Sequence, residues 1–167
     1  MFHDFEEIIF IKPWLIKNKE RLNEKVPKFT RKFASHYDSI TTPSLALGIA
    51  GMFTLVSIVT ITAILTGWYY LWFGTFIIFT IHLVVHCVPG IIFKGYVPAV
   101  VTSLICLPIC CYLIVVFSQN YKPEMGKTLI FLVIGAIVGG AAFLLIHKCM
   151  RLFDKWLTKY QNRNSSA

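Results

Sequence analysis

Five titratable residues of this chain have the types and spacing that a metal-binding or proton-carrying site requires. His3 precedes Glu6 and Glu7 by three and four residues, so a helix would place all three side chains on one face. His82 and His86 are four residues apart in an otherwise apolar run and would also share a helix face. Imidazole and carboxylate groups together can bind zinc, iron or manganese, and histidine can also carry protons near neutral pH.

The composition indicates that these residues belong to an integral membrane protein. Of 167 residues, 56% are apolar and only 14% are charged, whereas about 25% are charged in a typical soluble domain. A soluble protein of this size needs a mostly polar surface, which this composition cannot cover. The lipid bilayer is therefore the expected partner. A nucleic-acid partner is not expected, because the net charge of +8 is concentrated in segments outside the apolar stretches.

Long stretches without Asp, Glu, Lys or Arg predict an all-α, integral membrane helical bundle. A transmembrane helix needs about 20 apolar residues, and the alternation typical of a membrane β-barrel is missing. We predict a single membrane domain over residues 1–167. Its segments are an N-terminal helix (1–17), a basic loop (18–43), four transmembrane helices (44–66, 69–93, 97–117 and 127–147) and a basic tail (148–167).

The distribution of basic residues predicts a multi-pass protein of the cell membrane with one orientation. Fourteen of the sixteen Lys and Arg residues fall in the basic loop, its flanks, the turn at Lys94 and the C-terminal tail. Only Lys122 and Lys127 fall on the opposite side. By the positive-inside rule, the basic loop and the C-terminus are cytoplasmic. In the last span, Gly135, Gly139 and Gly140 form a small-residue face suited to close packing within the bundle or to a homo-oligomer.

The N-terminal helix has two interpretations. It is either an amphipathic helix whose acidic residues face water, or most of a fifth membrane helix, partly or wholly inserted. In the second case Glu6 and Glu7 lie about 15 Å from the boundary near Lys17. His82 and His86 lie about 18 and 12 Å from the same boundary, measured back from Lys94.

Matching depths lead to a metal-site hypothesis with His3, Glu6, Glu7 and His86, and also His82, as ligands. A metal-bound water at such a site could hydrolyse a lipid-like substrate. Two alternatives remain open, namely proton or ion translocation by the same residues and a purely structural role in helix pairing. The sequence does not identify a catalytic residue.

Three separated motifs resemble those of the HXXEE-domain membrane proteins, a mostly bacterial family of uncharacterised function. His3-x-x-Glu6-Glu7 is similar to the defining motif, and the likeness continues through residues 12–19. His86, ten residues ahead of Tyr96-Val97-Pro98-Ala99, is similar to the family's later His and Y-x-P-G motif. The resemblance implies an all-helical membrane protein without an established activity, with Tyr96 and Pro98 as motif residues.

The chain departs from that pattern in two places. Ala99 stands where the family's motif has Gly. The family is also expected to carry a second acidic pair early in the next helix, and residues 50–53 contain no acidic residue. If that pair supplies ligands in relatives, the resemblance implies weak or absent metal binding here.

Overall fold

The computed structural model describes residues 1–25 and 40–164, and within these ranges the chain is helical without any strand. The five helices of the described ranges are α1 (Phe2–Lys25), α2 (Thr42–Thr66), α3 (Tyr69–Phe93), α4 (Val100–Tyr121) and α5 (Met125–Asn164). Helices α2 to α5 are each long and apolar enough to cross a membrane. The predicted all-α fold with four membrane-spanning helices is confirmed.

Local sequence signals explain where α2 begins and ends. The Thr41 hydroxyl accepts a hydrogen bond from the Ser44 backbone N–H, and Pro43 occupies the first turn, where its missing N–H costs nothing. Gly67, just after the helix, has a φ of 69°, a left-handed conformation that glycine adopts without strain. The chain can therefore reverse within two residues before α3 starts.

Helix α1 is longer than predicted, because helix continues from Lys17 to Lys25. Asn18 interrupts it with a φ of −110°, and its amide donates to the carbonyl of Trp14. Beyond that kink, the Arg21 guanidinium donates to the Phe93 carbonyl at the end of α3, which gives this part of the chain a tertiary partner. The predicted loop over 18–43 therefore cannot start before residue 26, and its residues 26–39 lie outside the described part.

Two other helix boundaries also differ from the prediction. Helix α4 starts at Val100 rather than at residue 97, because Ala99 has a φ of 72° and cannot continue a helix toward the N-terminus. Helix α5 continues through most of the predicted tail, to Asn164. In this extension, the Asp154 carboxylate accepts hydrogen bonds from the Thr41 and Ser44 hydroxyls, which fastens it to the start of α2.

Helix α3 is the centre of the bundle and packs against α5, α4 and α2. Its contact with α5 is a close approach of two backbones. A Cβ atom added to Gly74 would lie 2.8 Å from the Phe131 carbonyl oxygen, whereas Gly135 meets the side chain of Ile78. Gly139 has nothing within 4 Å among the described residues. Only part of the small-residue face of α5 is therefore used in packing against α3.

The outward surface of the four long helices is suited to lipid. Only 6–17% of the residues in the most apolar window of each helix are buried, although those windows consist almost entirely of apolar side chains. Apolar helices this exposed cannot be stable in water but match the hydrocarbon of a bilayer. This supports a membrane location for the protein.

Helix α1 packs across one end of the bundle, which we call the α1 end, where α2 and α4 begin and α3 finishes. Trp14 and Leu22 pack against Phe93 and Val97. On the other side, Ile8 and Ile11 pack against a cluster of Ile40, Leu45 and Met150. Helix α1 thus contacts both halves of the bundle end, and it carries the His3 side chain into the interior, where it is 2% exposed.

We predict that Gly74→Ala lowers the stability of the bundle. The new methyl group would meet the backbone of Phe131, which cannot move aside as a side chain can, and such overpacking costs about 1–3 kcal/mol. Thermal unfolding of the purified protein in detergent measures this loss. Gly139→Ala is the matched control, because its methyl group enters open space and should leave Tm unchanged or slightly higher. Equal Tm values for the two variants would contradict the close approach of α3 and α5.

Candidate metal centre

Three histidines from two helices meet where the N-terminal turn of α1 enters the bundle. The ring centroid of His3 lies 4.8 Å from that of His86 and 5.5 Å from that of His82. The Nε2 atoms of His82 and His86 are 3.0 Å apart, as their spacing of four residues on α3 allows. One ring nitrogen from each of the three histidines lies within 4.8 Å of the other two. We call this group the histidine cluster.

The His3 ring is held in place by α4. Its Nδ1 atom lies 3.3 Å from the hydroxyl oxygens of both Thr102 and Ser103. The His3 side chain is only 2% exposed, and its Nε2 atom is buried without a hydrogen-bond partner among the described residues. When Nδ1–H donates to these hydroxyls, Nε2 carries the free lone pair. This is the arrangement by which neighbouring groups orient a metal-binding histidine.

Glu6 occupies the N-terminus of α4 instead of joining the histidine cluster. Its Oε2 atom accepts hydrogen bonds from the backbone N–H of Thr102 at 2.8 Å and from the Thr102 hydroxyl at 2.5 Å. Ala99 caps α4 without any side-chain hydrogen bond, so the first N–H groups of the helix depend on another partner. A carboxylate at a helix N-terminus is also favoured by the helix dipole. Glu6 therefore caps α4 from a different helix.

Thr102 links Glu6 to the histidine cluster, since its hydroxyl contacts both the Glu6 carboxylate and His3 Nδ1. The second carboxylate oxygen of Glu6, Oε1, is buried without a hydrogen-bond partner in the described part of the chain. His3 and Glu6, one turn apart on α1, are thus both anchored on the first turn of α4, and each retains one unpartnered buried atom.

Tyr96, Pro98 and Ala99 form the loop that receives α1. The Tyr96 carbonyl accepts a hydrogen bond from the Trp14 indole N–H at 2.7 Å. Partial burial of the Tyr96 hydroxyl and the nearby Glu6 carboxylate raise the pKa of Tyr96 to about 12, so the hydroxyl stays protonated at any physiological pH. Pro98 restricts the backbone just before Ala99.

Ala99 explains why a motif of this kind has glycine at its last position. Its φ of 72° is left-handed, and its side chain is fully buried. A non-glycine residue in this region costs about 1–2 kcal/mol. The chain forms the turn despite this cost, so the departure from Gly to Ala does not remove the close approach of the loop to α1.

The predicted ligands are therefore only partly brought together. His3, His82 and His86 form the cluster, Glu6 is adjacent but bound to Thr102, and Glu7 is not part of the group. Within the described residues, Glu7 has no hydrogen bond or ion pair, although it follows Glu6 directly in the motif. That these side chains bind a metal ion stays a prediction.

Thr102 and Ser103, the two residues that orient His3 and Glu6, were not predicted from the sequence. Hydroxyl side chains in an apolar helix usually bond to their own backbone and attract little notice. The sequence does contain one signal for these two residues, since they follow Pro98, the last predicted motif residue, by only four and five positions. Hydroxyl side chains at the start of a helix are well placed to bond to a carboxylate or imidazole that lies at a similar depth in the membrane.

The geometry of the histidine cluster is close to that of a catalytic zinc site. Zinc bonds to imidazole nitrogen at about 2.0–2.1 Å, so two tetrahedral ligands have nitrogens roughly 3.3 Å apart. His82 and His86 already meet this spacing. The ring nitrogens lie up to 4.8 Å apart, and side-chain rotation would have to shorten that separation by about 1.5 Å to reach the spacing of tetrahedral zinc ligands. Three imidazoles would leave at least one coordination position for water or substrate.

We predict that the two glutamates of the motif contribute unequally to stability. Glu6→Ala should lower the free energy of unfolding by about 1–3 kcal/mol, because the buried N–H of Thr102 loses its charged acceptor. Glu7→Ala is the matched control and should change stability by less than about 0.5 kcal/mol. Thermal or denaturant unfolding in detergent gives both values, and a larger loss for Glu7→Ala would contradict the capping role of Glu6.

Comparison with known proteins agrees with the motifs of this site. The family described as proteins of unknown function with an HXXEE motif matches residues 1–113. This range includes α1, the histidine pair on α3, the loop at Tyr96 and the first turn of α4, and it ends within α4. No curated protein and no solved structure gives a significant match. The chain belongs to the HXXEE family, whose function is unknown.

Proposed function

We propose that this protein is a multi-pass membrane metalloprotein that binds one divalent transition-metal ion between α1 and α3. The ligands are His3, His82 and His86. The observation that carries the proposal is the meeting of three imidazoles, each with a ring nitrogen within 4.8 Å of the other two, at a place where the buried Nε2 atom of His3 has no hydrogen-bond partner among the described residues.

A bound metal ion would pair with the lone pairs of the ring nitrogens in the cluster. Buried polar atoms without partners are rare, because each forfeits its hydrogen bonds to water at a cost of about 1–3 kcal/mol. Three neutral imidazoles in contact can share few hydrogen bonds, since each has only one N–H to donate. A cation that accepts a lone pair from each ring satisfies all of them at once. Of the expected metals, zinc and iron suit an all-imidazole set better than manganese does, because manganese favours oxygen ligands.

The proposed activity is hydrolysis of a lipid-like substrate by water activated at the metal. Three protein ligands leave a position for water, and a zinc ion lowers the pKa of bound water to about 7. The chain's own contribution is to hold the three rings and to keep Glu6 next to them through Thr102. Glu6, whose Oε1 atom is buried without a partner among the described residues, is the carboxylate that we propose as acceptor of a hydrogen bond from such a water.

A second candidate function, proton transfer, is favoured by one contact. The Nε2 atoms of His82 and His86 are at hydrogen-bond distance, so the two rings can share a proton without a metal. Carriage of protons across liposome membranes by protein that contains no metal would support this candidate in place of the first.

We predict that the protein, purified in detergent without chelators, contains about one zinc or iron ion per chain, as measured by elemental analysis. His3→Ala, His82→Ala and His86→Ala should each reduce the bound metal at least tenfold. His147→Ala is the matched control, because His147 is also in a membrane helix but contacts the Phe143 carbonyl, away from the cluster. Metal-free wild-type protein that also fails to bind added zinc would refute the proposal.

We also propose that the α1 end of the bundle faces the cytoplasm. Fourteen of the sixteen Lys and Arg residues belong to the sequence before α2, the turn between α3 and α4, and the C-terminal part of α5, and the positive-inside rule places such basic segments in the cytoplasm. A green fluorescent protein fused after the C-terminus should therefore fluoresce, whereas alkaline phosphatase at the same position should be inactive. The opposite result from both reporters would reverse the orientation.

A further inference from the structure

The histidine cluster has one closed side and one side open to the surface of the bundle. We propose that the cluster is reached from the bilayer, and that its ligand is a long-chain amphiphile with a small, neutral oxygen function, namely an ester. This inference rests on the proposed function, since the oxygen atom would bind the metal held by the three histidines.

The three histidines differ in exposure, which increases from His3 through His86 to His82. His3 is 2% exposed and His86 is partly buried, whereas His82 is exposed. His82 is flanked on α3 by Ile81 and Val85, whose side chains are 53% and 58% exposed. These apolar neighbours belong to the surface that faces hydrocarbon. The open side of the cluster therefore borders lipid tails.

Helix α1 covers the side of the cluster that faces the α1 end of the bundle. The Glu6 carboxylate is bound to the first turn of α4, the Trp14 indole to the Tyr96 carbonyl, and the Arg21 guanidinium to the Phe93 carbonyl. These contacts follow α1 along the whole α1 end of the bundle. A ligand dissolved in water would have to displace this helix to reach the histidines from that end.

The depth of the histidine cluster in the membrane also favours a ligand from the bilayer. His82 lies eleven residues before the end of α3 at Phe93, and His86 lies seven before it. At 1.5 Å per residue, the two rings are about 16 and 10 Å from that end of the helix. Because half the hydrocarbon thickness is about 15 Å, the cluster lies within the acyl-chain region. A charged phosphate headgroup would be costly there, whereas a neutral oxygen on a chain is tolerated.

The test uses the cobalt-substituted full chain in phosphatidylcholine nanodiscs, because the visible spectrum of Co²⁺ reports its ligands. Two hydroxamic acids serve as probes, the neutral dodecanohydroxamic acid and the charged, water-soluble succinic monohydroxamic acid. We expect the long-chain probe to change the cobalt spectrum at stoichiometric amounts. The charged probe should cause no change at a hundredfold excess.

A variant distinguishes entry of the long-chain probe beside His82 from mere accumulation of that probe in the lipid. Val85→Trp places a large ring beside His82 and should slow binding of the long-chain probe at least tenfold, with cobalt content unchanged. Ile58→Trp is the matched control, because Ile58 is 56% exposed on α2 and should leave the binding rate unchanged.

Three outcomes have distinct meanings. Failure of cobalt to bind refutes the proposed metal function itself. Bound cobalt that responds equally to the charged probe overturns the bilayer route, because the site is then open to water. Bound cobalt that responds to neither probe also overturns it, because no coordination position is then available to a ligand.

Discussion

The structure depends on a buried carboxylate that caps a helix belonging to a different part of the chain. The first turn of α4 has N–H groups without acceptors, because Ala99 has no side chain that could bond to them. Glu6 on α1 has a charge that is costly to bury without donors. The hydrogen bonds between Glu6 and Thr102 give the helix N–H group an acceptor and give the buried carboxylate its donors. The same contact sets the position of α1, and therefore the position of His3 beside the histidines of α3.

This constraint joins two motifs that are about ninety residues apart in the chain. The loop from Tyr96 to Ala99 directs α4 so that its first turn faces Glu6, and the carbonyl of Tyr96 receives the Trp14 indole. The left-handed conformation of Ala99 is part of that geometry. The histidine pair on α3 completes the unit, and all these residues lie within the region that matches the HXXEE family. Helix α5 contributes differently, by packing its backbone closely against Gly74 of α3.

Polar side chains inside a membrane bundle are stable only where protein or a ligand replaces water. Glu6 meets this condition on one of its oxygens and His3 on one of its nitrogens, while Glu6 Oε1 and His3 Nε2 have no partner within residues 1–25 and 40–164. Both unpartnered atoms belong to α1 side chains that are anchored on the first turn of α4. The metal ion and bound water that we propose would satisfy both, and His82 is the exposed member of the three histidines.

By itself, the sequence determined the membrane class, the number of membrane-spanning helices and the bounds of those helices to within a few residues, except for the C-terminal extension of α5. These properties follow from local composition, since uncharged apolar stretches of about 20 residues must be helical in lipid. The pairing of His82 with His86 was also evident, because four residues make one helical turn. Only the tertiary structure decided that His3 joins them, that Glu6 binds Thr102 and that Glu7 remains outside the cluster. Those outcomes depend on how α1 is rotated and tilted against α3 and α4, and this angle is set by packing and hydrogen bonds between residues distant in the chain.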